Sequence, residues 1–249
     1  PLLAAVARDL VRDVQKDLGL TALVGDAPHA SAALDDIQML GVRLGLGDVD
    51  GLVELPDVHR AGPDDVAVHV LYQPGDEATW GDGVAVKRTE TALAWLDQLY
   101  GKFAWPQVTN VHRIEGGGTE FPMMMHNGSA SQGLIVHELG HNYTQGILAN
   151  NEWREGWLDE GFTSFQTSWF WEAQGRPSDY HEGESQLLEL DLDGYSEPTS
   201  LVSESYRDFV TYNLTIYARG ELFFQQLRYI VGDDTMHRIL RTFYERWQL

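Results

Sequence analysis

Apolar residues recur along this chain with two spacings, one typical of strands and the other typical of helices. Valines fill every second position in VAVHVLY, residues 66–72, which predicts a strand. Residues 108–114 predict a second strand, and apolar residues three or four positions apart predict helices. The predicted helices are residues 83–100, 131–143, 158–174, 211–231 and 235–247, with an acidic loop after the third. Because strands come first and helices later, the pattern indicates an α+β fold.

The first 65 residues form a segment with a weaker pattern. Apolar positions at helical spacing predict a helix over residues 1–18. The stretch that follows is rich in Gly, Asp and Pro, with one short predicted helix over 31–40. We therefore treat residues 1–65 as an unassigned, partly helical segment before a domain that spans 66–249. The opening PLLAAVARDLVRD lacks a basic leader and a cleavage-site pattern, so we expect an amphipathic helix and not a signal peptide.

The composition narrows the possible functions. The chain has 249 residues, of which 43% are hydrophobic, so it can bury a sizeable core. It has no apolar run of the roughly 18 residues that a membrane span needs, so we expect a soluble chain. A formal net charge of −21 argues against nucleic acid as a partner, because phosphate contacts need clustered Lys and Arg. The absence of cysteine excludes disulfides, iron–sulfur clusters and thiolate zinc sites.

The stretch LIVHELGHNY, residues 134–143, places two histidines in an apolar helix. Residues four apart lie on one face of a helix, so His137 and His141 can direct two imidazoles at one point. Glu138 lies roughly 100° further around the helix axis. His-Glu-x-x-His on a helix is the sequence form of two zinc ligands and a general base. The alternative is a polar helix face that matches this short pattern by accident.

A third metal ligand is predicted in the segment WLDEGFTSF. Catalytic zinc sites have three protein ligands and leave one position for water. Glu160 lies nineteen positions after His141, among large apolar side chains. A carboxylate in such surroundings is costly unless it is paired or bound to a cation. Its neighbour Asp159 is explained well enough as an acid at a helix N-terminus, where the dipole favours it.

These motifs resemble those of the gluzincin metallopeptidases, in particular the aminopeptidase-N-like branch. HELGH is followed after eighteen residues by a Glu within WLDEGF, close to that branch's WLNEGF. Residues 117–121 (GGTEF) stand in the place of its Gly-x-Met-Glu-Asn motif, and TIYARGELFF begins a stretch similar to its Tyr-x-x-Gly helix. The resemblance covers residues 66–249. It implies a thermolysin-like α+β catalytic domain, with a small mixed sheet whose edge strand lines the cleft and a helical lobe after it.

The resemblance also implies a set of metal ligands and catalytic groups. In this family His137, His141 and Glu160 would bind one Zn²⁺, with water in the open position. Glu138 would act as the general base for that water and then as the acid for the leaving amine. Tyr217 matches the tyrosine whose phenol stabilises the oxyanion.

Substrate recognition follows from the same resemblance. Glu120 would bind the free α-ammonium of a peptide, which makes the chain an aminopeptidase. Gly117 and Gly118 would let the substrate backbone lie close to the edge strand and pair with it. The chain departs from the family motif at Thr119 and Phe121, where Met and Asn are usual, so the first side-chain pocket is expected to differ.

Other readings remain open beside the aminopeptidase. The fold can serve a catalytically silent scaffold or binding module, or a related zinc hydrolase with an endopeptidase or non-peptide substrate.

The sequence from Glu189 to Gly194 is similar to the start of a calcium loop, although Ser200 occupies the position where a bidentate Glu is required. At most a weak surface Ca²⁺ site is expected there.

Overall fold

The computed structural model describes residues 53–55, 66–112, 116–177 and 180–248, which lie within one compact unit, Asp50–Leu249. The helices predicted over 1–18 and 31–40 fall outside the described residues. The strands are β1 (Val53–Leu55), β2 (Ala67–Tyr72), β3 (Gln107–His112), β4 (Gly118–Thr119) and β5 (Met124–Asn127). The α-helices are α1 (Glu77–Trp80), α2 (Val84–Leu99), α3 (Gln132–Tyr143), α4 (Phe162–Ala173), α5 (Tyr180–Leu192), α6 (Phe209–Asn213), α7 (Gly220–Val231) and α8 (Asp233–Trp247). Three π-helical segments, π1 (Thr144–Leu148), π2 (Trp157–Gly161) and π3 (Leu214–Arg219), and one 3₁₀ turn (Ser203–Ser205) complete the description.

The strands form one mixed sheet in the order β1-β2-β3-β5-β4. The three inner strands are parallel, and β1 and β4 pair antiparallel at the two edges. This arrangement confirms the α+β expectation, with β4 as the edge strand before the helical part. β1 lies within the segment 1–65 that the sequence left unassigned, and it pairs with β2.

The core lies between the sheet and α2, α3 and α4. Alternate residues of β2, including Val68 and Val70, are fully buried, as the valine spacing predicts. Helix α3 buries Ile135, Val136 and Leu139, so the helix that carries both histidines is held on several sides by the core. A rigid element is therefore available to orient the imidazoles.

The structure corrects the acidic loop predicted after residue 174, because α5 occupies much of it. Leu187 and Leu190 are buried, whereas Leu188 and Leu192 are 59% and 77% exposed. The buried pair is three positions apart, which is helical spacing. The sequence that is similar to a calcium loop begins within this helix and not in a loop.

The predicted helix 211–231 is one helical stretch with a π-helical interruption. It begins at Phe209 in α6, passes through π3 and continues as α7 to Val231. The predicted helix 158–174 likewise begins as π2 before α4. Among the helices that the structure describes, none is long and apolar enough to cross a membrane.

Candidate active site

Two histidines and one glutamate converge between α3 and π2. The Nε2 atoms of His137 and His141 are 3.3 Å apart, and each lies 3.1 Å from Oε2 of Glu160. Three ligands of a tetrahedral zinc ion at about 2.05 Å would be about 3.3 Å from one another. The three predicted ligand atoms therefore fit a zinc ion in both chemistry and spacing, and the structure brings all three residues together.

π-Helical turns place two of the candidate residues. Glu160 lies in π2 and Tyr217 in π3. A π-turn inserts a residue into a helix and rotates the side chains that follow, and such turns are frequent at functional sites. The sequence analysis placed Glu160 at the start of an ordinary helix and missed this feature. The spacing of apolar residues in the sequence does not indicate a π-turn at this position.

Glu138 points from α3 toward the edge strand and is buried, with 5% of its surface exposed. Burial is the main reason that the pKa of its carboxyl rises to about 7, although His137 and His141 act in the opposite direction. Its carboxyl group lies against Gly118. A Cβ built on Gly118 would meet Oε1 of Glu138 and would lie 2.6 Å from its Cγ. Gly118 therefore leaves room for the glutamate, a role that the sequence analysis did not foresee.

Glu120 follows the edge strand β4 and reaches the same centre. One of its oxygens lies within 4.8 Å of ligand-type atoms of His141, Asp159 and Glu160. Burial raises the pKa of the Glu120 carboxyl, and the neighbouring acids Glu160 and Asp159 also raise it. A cation bound beside Glu120 would offset this cost. Glu120 therefore adds a further carboxylate beside His141 and Glu160.

Tyr217 lies beside His137 and Glu160. Its ring stacks on that of His137, with centroids 6.2 Å apart and an angle of 8° between the planes. Its hydroxyl lies near the Glu160 carboxylate. Burial, and then the negative charge of Glu160, raise the pKa of the phenol far above its usual value of 10.0. Tyr217 therefore stays protonated and remains a hydrogen-bond donor at neutral pH.

Asp159 contacts the site directly, which the sequence analysis did not predict. Its side chain is buried, and Oδ1 lies 2.9 Å from Nδ1 of His141. Thr163 Oγ1 lies 3.3 Å from the same nitrogen and donates to the Asp159 carbonyl. A carboxylate at Nδ1 holds the imidazole in the orientation that directs Nε2 to the metal position. The sequence signal was present, since Asp159 adjoins a predicted ligand in an apolar segment.

The residues that depart from the family motif lie beside Glu120. The Thr119 hydroxyl donates to the Gly118 carbonyl at 2.8 Å, and the Phe121 ring lies 5.1 Å from the ring of His126. Gly117 has a φ of +80°, which favours glycine, and its carbonyl accepts a hydrogen bond from the Gly128 amide. Gly117 is thus required by the backbone of the turn that presents β4.

Comparisons with known proteins agree with this geometry. The family model described as "Peptidase family M1 domain" matches residues 123–249, just over half of the chain. The rat and human proteins named aminopeptidase B are each 26% identical over 171 residues, which is 58% of this chain and 25% of theirs. The chain thus spans about a quarter of the length of the curated relatives that it matches.

Solved structures share the fold. An M1 zinc metallopeptidase from Deinococcus radiodurans superposes with a TM-score of 0.63 at 21% identity, covering 79% of this chain and 44% of that one. A variant of the Deinococcus protein, solved with a Tyr-Ser-Ala substrate, gives a TM-score of 0.62 at 19% identity, covering 79% and 44%. Aminopeptidase A from Legionella pneumophila, solved with aspartic acid, gives a TM-score of 0.59 at 15% identity, covering 79% and 24%.

Proposed function

This chain belongs to peptidase family M1, and from that membership we propose that it is a zinc-dependent aminopeptidase acting on peptides with a free N-terminus. The observation that carries the proposal is the convergence of two imidazole nitrogens and one carboxylate oxygen within 3.3 Å of one another. Glu138, Glu120 and Tyr217 surround that point. The relatives named as aminopeptidases, and the one solved with a tripeptide, support a peptide as the substrate.

His137, His141 and Glu160 would hold the zinc ion. When bound, the ion supplies a Lewis acid for the scissile carbonyl and for the attacking water. Asp159 keeps His141 oriented for this role through Nδ1. The side chains of all three residues are mostly buried, so the surrounding core restricts their movement.

Glu138 is the proposed general base. Glu138 lies on a different part of the α3 surface from His137 and His141, so it cannot bind the same ion as they do. Its carboxyl group lies beside the position where the ion would be held. Its carboxylate accepts a proton from the attacking water and then delivers it to the leaving amine. A pKa raised by burial makes both transfers feasible near neutral pH.

Tyr217 is the proposed donor to the oxygen that becomes negatively charged as the substrate carbon turns tetrahedral. Its hydroxyl lies near Glu160, one of the three proposed zinc ligands. Its raised pKa means that it donates a hydrogen bond without losing its proton.

Glu120 is the proposed recognition group for the α-ammonium of the substrate. A carboxylate binds an ammonium group through charge-assisted hydrogen bonds. The Glu120 oxygen lies within 4.8 Å of ligand atoms of His141 and Glu160, and one extended residue spans about 3.5 Å. An ammonium held there leaves room for the first peptide bond, and no later one, at the metal. This spacing favours removal of single N-terminal residues.

The test compares aminoacyl-anilides with their N-acetylated equivalents, using zinc-loaded protein with and without a chelator. We expect turnover of the free-amine substrates that the chelator abolishes and zinc restores, with little turnover of the blocked substrates. Glu138→Gln is expected to lower kcat by roughly 10²- to 10⁴-fold while zinc stays bound. Glu245→Gln, an exposed glutamate of α8, is the matched control and should leave kcat unchanged.

Each rival function predicts a different result in the same assay. Comparable turnover of the blocked substrates would replace the aminopeptidase with an endopeptidase or another zinc hydrolase. Stoichiometric zinc without chelator-sensitive turnover of any substrate would indicate a scaffold that kept the fold. Loss of zinc in Glu138→Gln would indicate that Glu138 helps to bind the metal, which would contradict its assignment as the general base.

A further inference from the structure

The segment that carries Glu160 and the segment that carries Tyr217 touch through two glycines. A Cβ built on Gly161 would lie 2.6 Å from the Gly220 Cα and 2.8 Å from the Ile216 carbonyl oxygen. A Cβ built on Gly220 would lie 2.9 Å from the Gly161 Cα and 3.1 Å from the Trp157 carbonyl oxygen. All these neighbours are backbone atoms, so no flexible side chain could move aside. The two backbones are in direct contact at this crossing.

Neither glycine is needed for the shape of its own backbone. Gly161 has φ −67° and ψ −38°, and Gly220 has φ −61° and ψ −46°, which are ordinary helical values. Alanine in a helix is about 1 kcal/mol more favourable than glycine at such positions. The missing side chain is therefore explained by the space at the crossing and not by conformation.

The crossing lies next to the candidate catalytic groups. Gly161 directly follows Glu160, and Gly220 is three residues after Tyr217. The Tyr217 ring stacks on that of His137 and its hydroxyl lies near Glu160, so the distance between these two segments also sets the distance between the Tyr217 and Glu160 side chains. If the two backbones moved apart at this crossing, the displacement would have to pass along less than one helical turn to reach Glu160 or Tyr217.

Helix α5 holds π3 from another side. A Cβ on Gly183 would lie 3.0 Å from the Ala218 Cβ, and Arg219 forms an ion pair with Asp191 of α5 at 2.6 Å. These two contacts hold π3 against α5, so they oppose a movement of π3 that would relieve a clash at the glycine crossing.

We propose that the backbone contact between Gly161 and Gly220 sets the position of the Tyr217 hydroxyl relative to Glu160, which makes both glycines positioning residues for the reaction. This inference rests on the function proposed above. It concerns placement and not contact with substrate, because neither glycine has a side chain that could take part in the chemistry.

The test is a double-mutant cycle with Gly220→Ala and Tyr217→Phe. Gly220 is chosen because it is not adjacent in sequence to a metal ligand. Misplacement of a catalytic group by about 1 Å can cost on the order of 10²-fold, so we expect Gly220→Ala to lower kcat roughly 10- to 100-fold with zinc still bound. In the Tyr217→Phe background the same substitution should lower kcat by less than about 2-fold, because the hydroxyl that it misplaces is already gone.

The control is Gly146→Ala in π1, where the nearest atoms to a new Cβ are 3.7 Å and 4.0 Å away. It should leave kcat unchanged. If Gly220→Ala does not fold, Gly183→Ala applies a milder displacement through Ala218 and should give a smaller loss that also disappears in the Tyr217→Phe background. Equal losses in both backgrounds, or wild-type kcat in the alanine variant, would overturn the proposal.

A structural readout separates this inference from the proposed function. If the wild-type protein turns over no peptide substrate, the proposed function fails, but crystal structures of the wild type and Gly220→Ala still test the contact. We expect the distance between the Tyr217 hydroxyl and the Glu160 carboxylate to change by about 1 Å in the variant. An unchanged distance would overturn the inference by itself.

Discussion

Asp159 Oδ1 lies 2.9 Å from Nδ1 of His141, and both side chains are almost completely buried. The carboxylate accepts the Nδ1 proton, so Nε2 is the nitrogen that faces His137 and Glu160. The charge of Asp159, followed by that of Glu160, raises the pKa of His141 well above 6.5 in the absence of a metal, although burial alone would lower it. Asp159 thus contacts the proposed metal site although it is not one of the three proposed ligands.

The first prediction is that Asp159 strengthens zinc binding. Removal of a carboxylate that orients a metal-binding histidine costs about 10- to 100-fold in metal affinity. We expect Asp159→Ala to weaken zinc binding by this factor, measured by competition with a chromogenic chelator. Asp159→Asn should lie between the wild type and the alanine variant, because an amide oxygen still accepts the Nδ1 proton.

The control for this prediction is Asp193→Asn, an exposed acid just after α5. It changes the net charge by the same amount and should leave zinc affinity unchanged. Equal zinc affinity in the wild type and Asp159→Ala would show that the buried carboxylate does not support the site.

The second prediction concerns the contact between α3 and α4. A Cβ on Gly140 would collide with the Gln166 amide nitrogen and lie 2.7 Å from its Cδ. Gln166 cannot turn away easily, because it is fully buried and its Oε1 accepts a hydrogen bond from the Tyr100 hydroxyl at 2.5 Å. We expect Gly140→Ala to lower the free energy of unfolding by about 1–3 kcal/mol through overpacking, measured by urea denaturation with zinc in excess.

Gly133→Ala on the same helix is the matched comparison. Its Cβ would meet Trp171 at 3.4 Å, which is an ordinary contact. This variant should be as stable as the wild type, or more stable by up to about 1 kcal/mol from helix propensity. Equal effects of the two substitutions would mean that crowding at Gln166 does not decide the result.

Part of the candidate site can be predicted from the sequence alone. His137 and His141 are fixed by the geometry of one helix, so their spacing alone places them together. Glu160 and Glu120 could be predicted through motifs that the family shares. These four side chains meet in the structure as expected.

The remaining parts depend on contacts between distant segments, which no local pattern records. The role of Asp159 requires α4 and π2 to lie against α3. The glycines at 161 and 220 would each read as a helix breaker, although both have helical dihedrals and are explained by their contact. Helix α5 is not evident from the sequence, because its two buried leucines lie beside the exposed Leu188 and Leu192 in a stretch that contains four acidic residues.

The third prediction follows from the raised pKa of Glu138, which burial moves from 4.5 to about 7 in the metal-free protein. A carboxyl whose pKa is raised by folding contributes stability that is complete below pH 4.5 and is lost as the pH rises through about 7. Relative to Glu138→Gln, the metal-free wild type should therefore lose about 3 kcal/mol of unfolding free energy between pH 4.5 and pH 8. Urea denaturation of both proteins at several pH values measures this difference.

Zinc should reduce the effect, because a dication near Glu138 favours the charged carboxylate. For the same reason we expect the acidic limb of kcat/KM in the zinc-loaded enzyme to lie between pH 4.5 and pH 7. Stability curves of the metal-free wild type and Glu138→Gln that run parallel from pH 4.5 to pH 8 would contradict the raised pKa.

The last prediction separates two explanations for Gly118. If the glycine serves mainly to let the substrate approach the edge strand, Gly118→Ala should raise KM. The structure favours a different effect, because the new Cβ would occupy the place of the Glu138 carboxyl group and lie 2.6 Å from its Cγ. We therefore expect kcat to fall roughly 10- to 100-fold, as for a displaced general base, with KM and zinc content nearly unchanged. Gly116→Ala, where a Cβ meets nothing within 4 Å, controls for the loss of a glycine just before the strand. Steady-state kinetics on an aminoacyl-anilide measure both constants, and a change confined to KM would assign Gly118 to substrate approach instead.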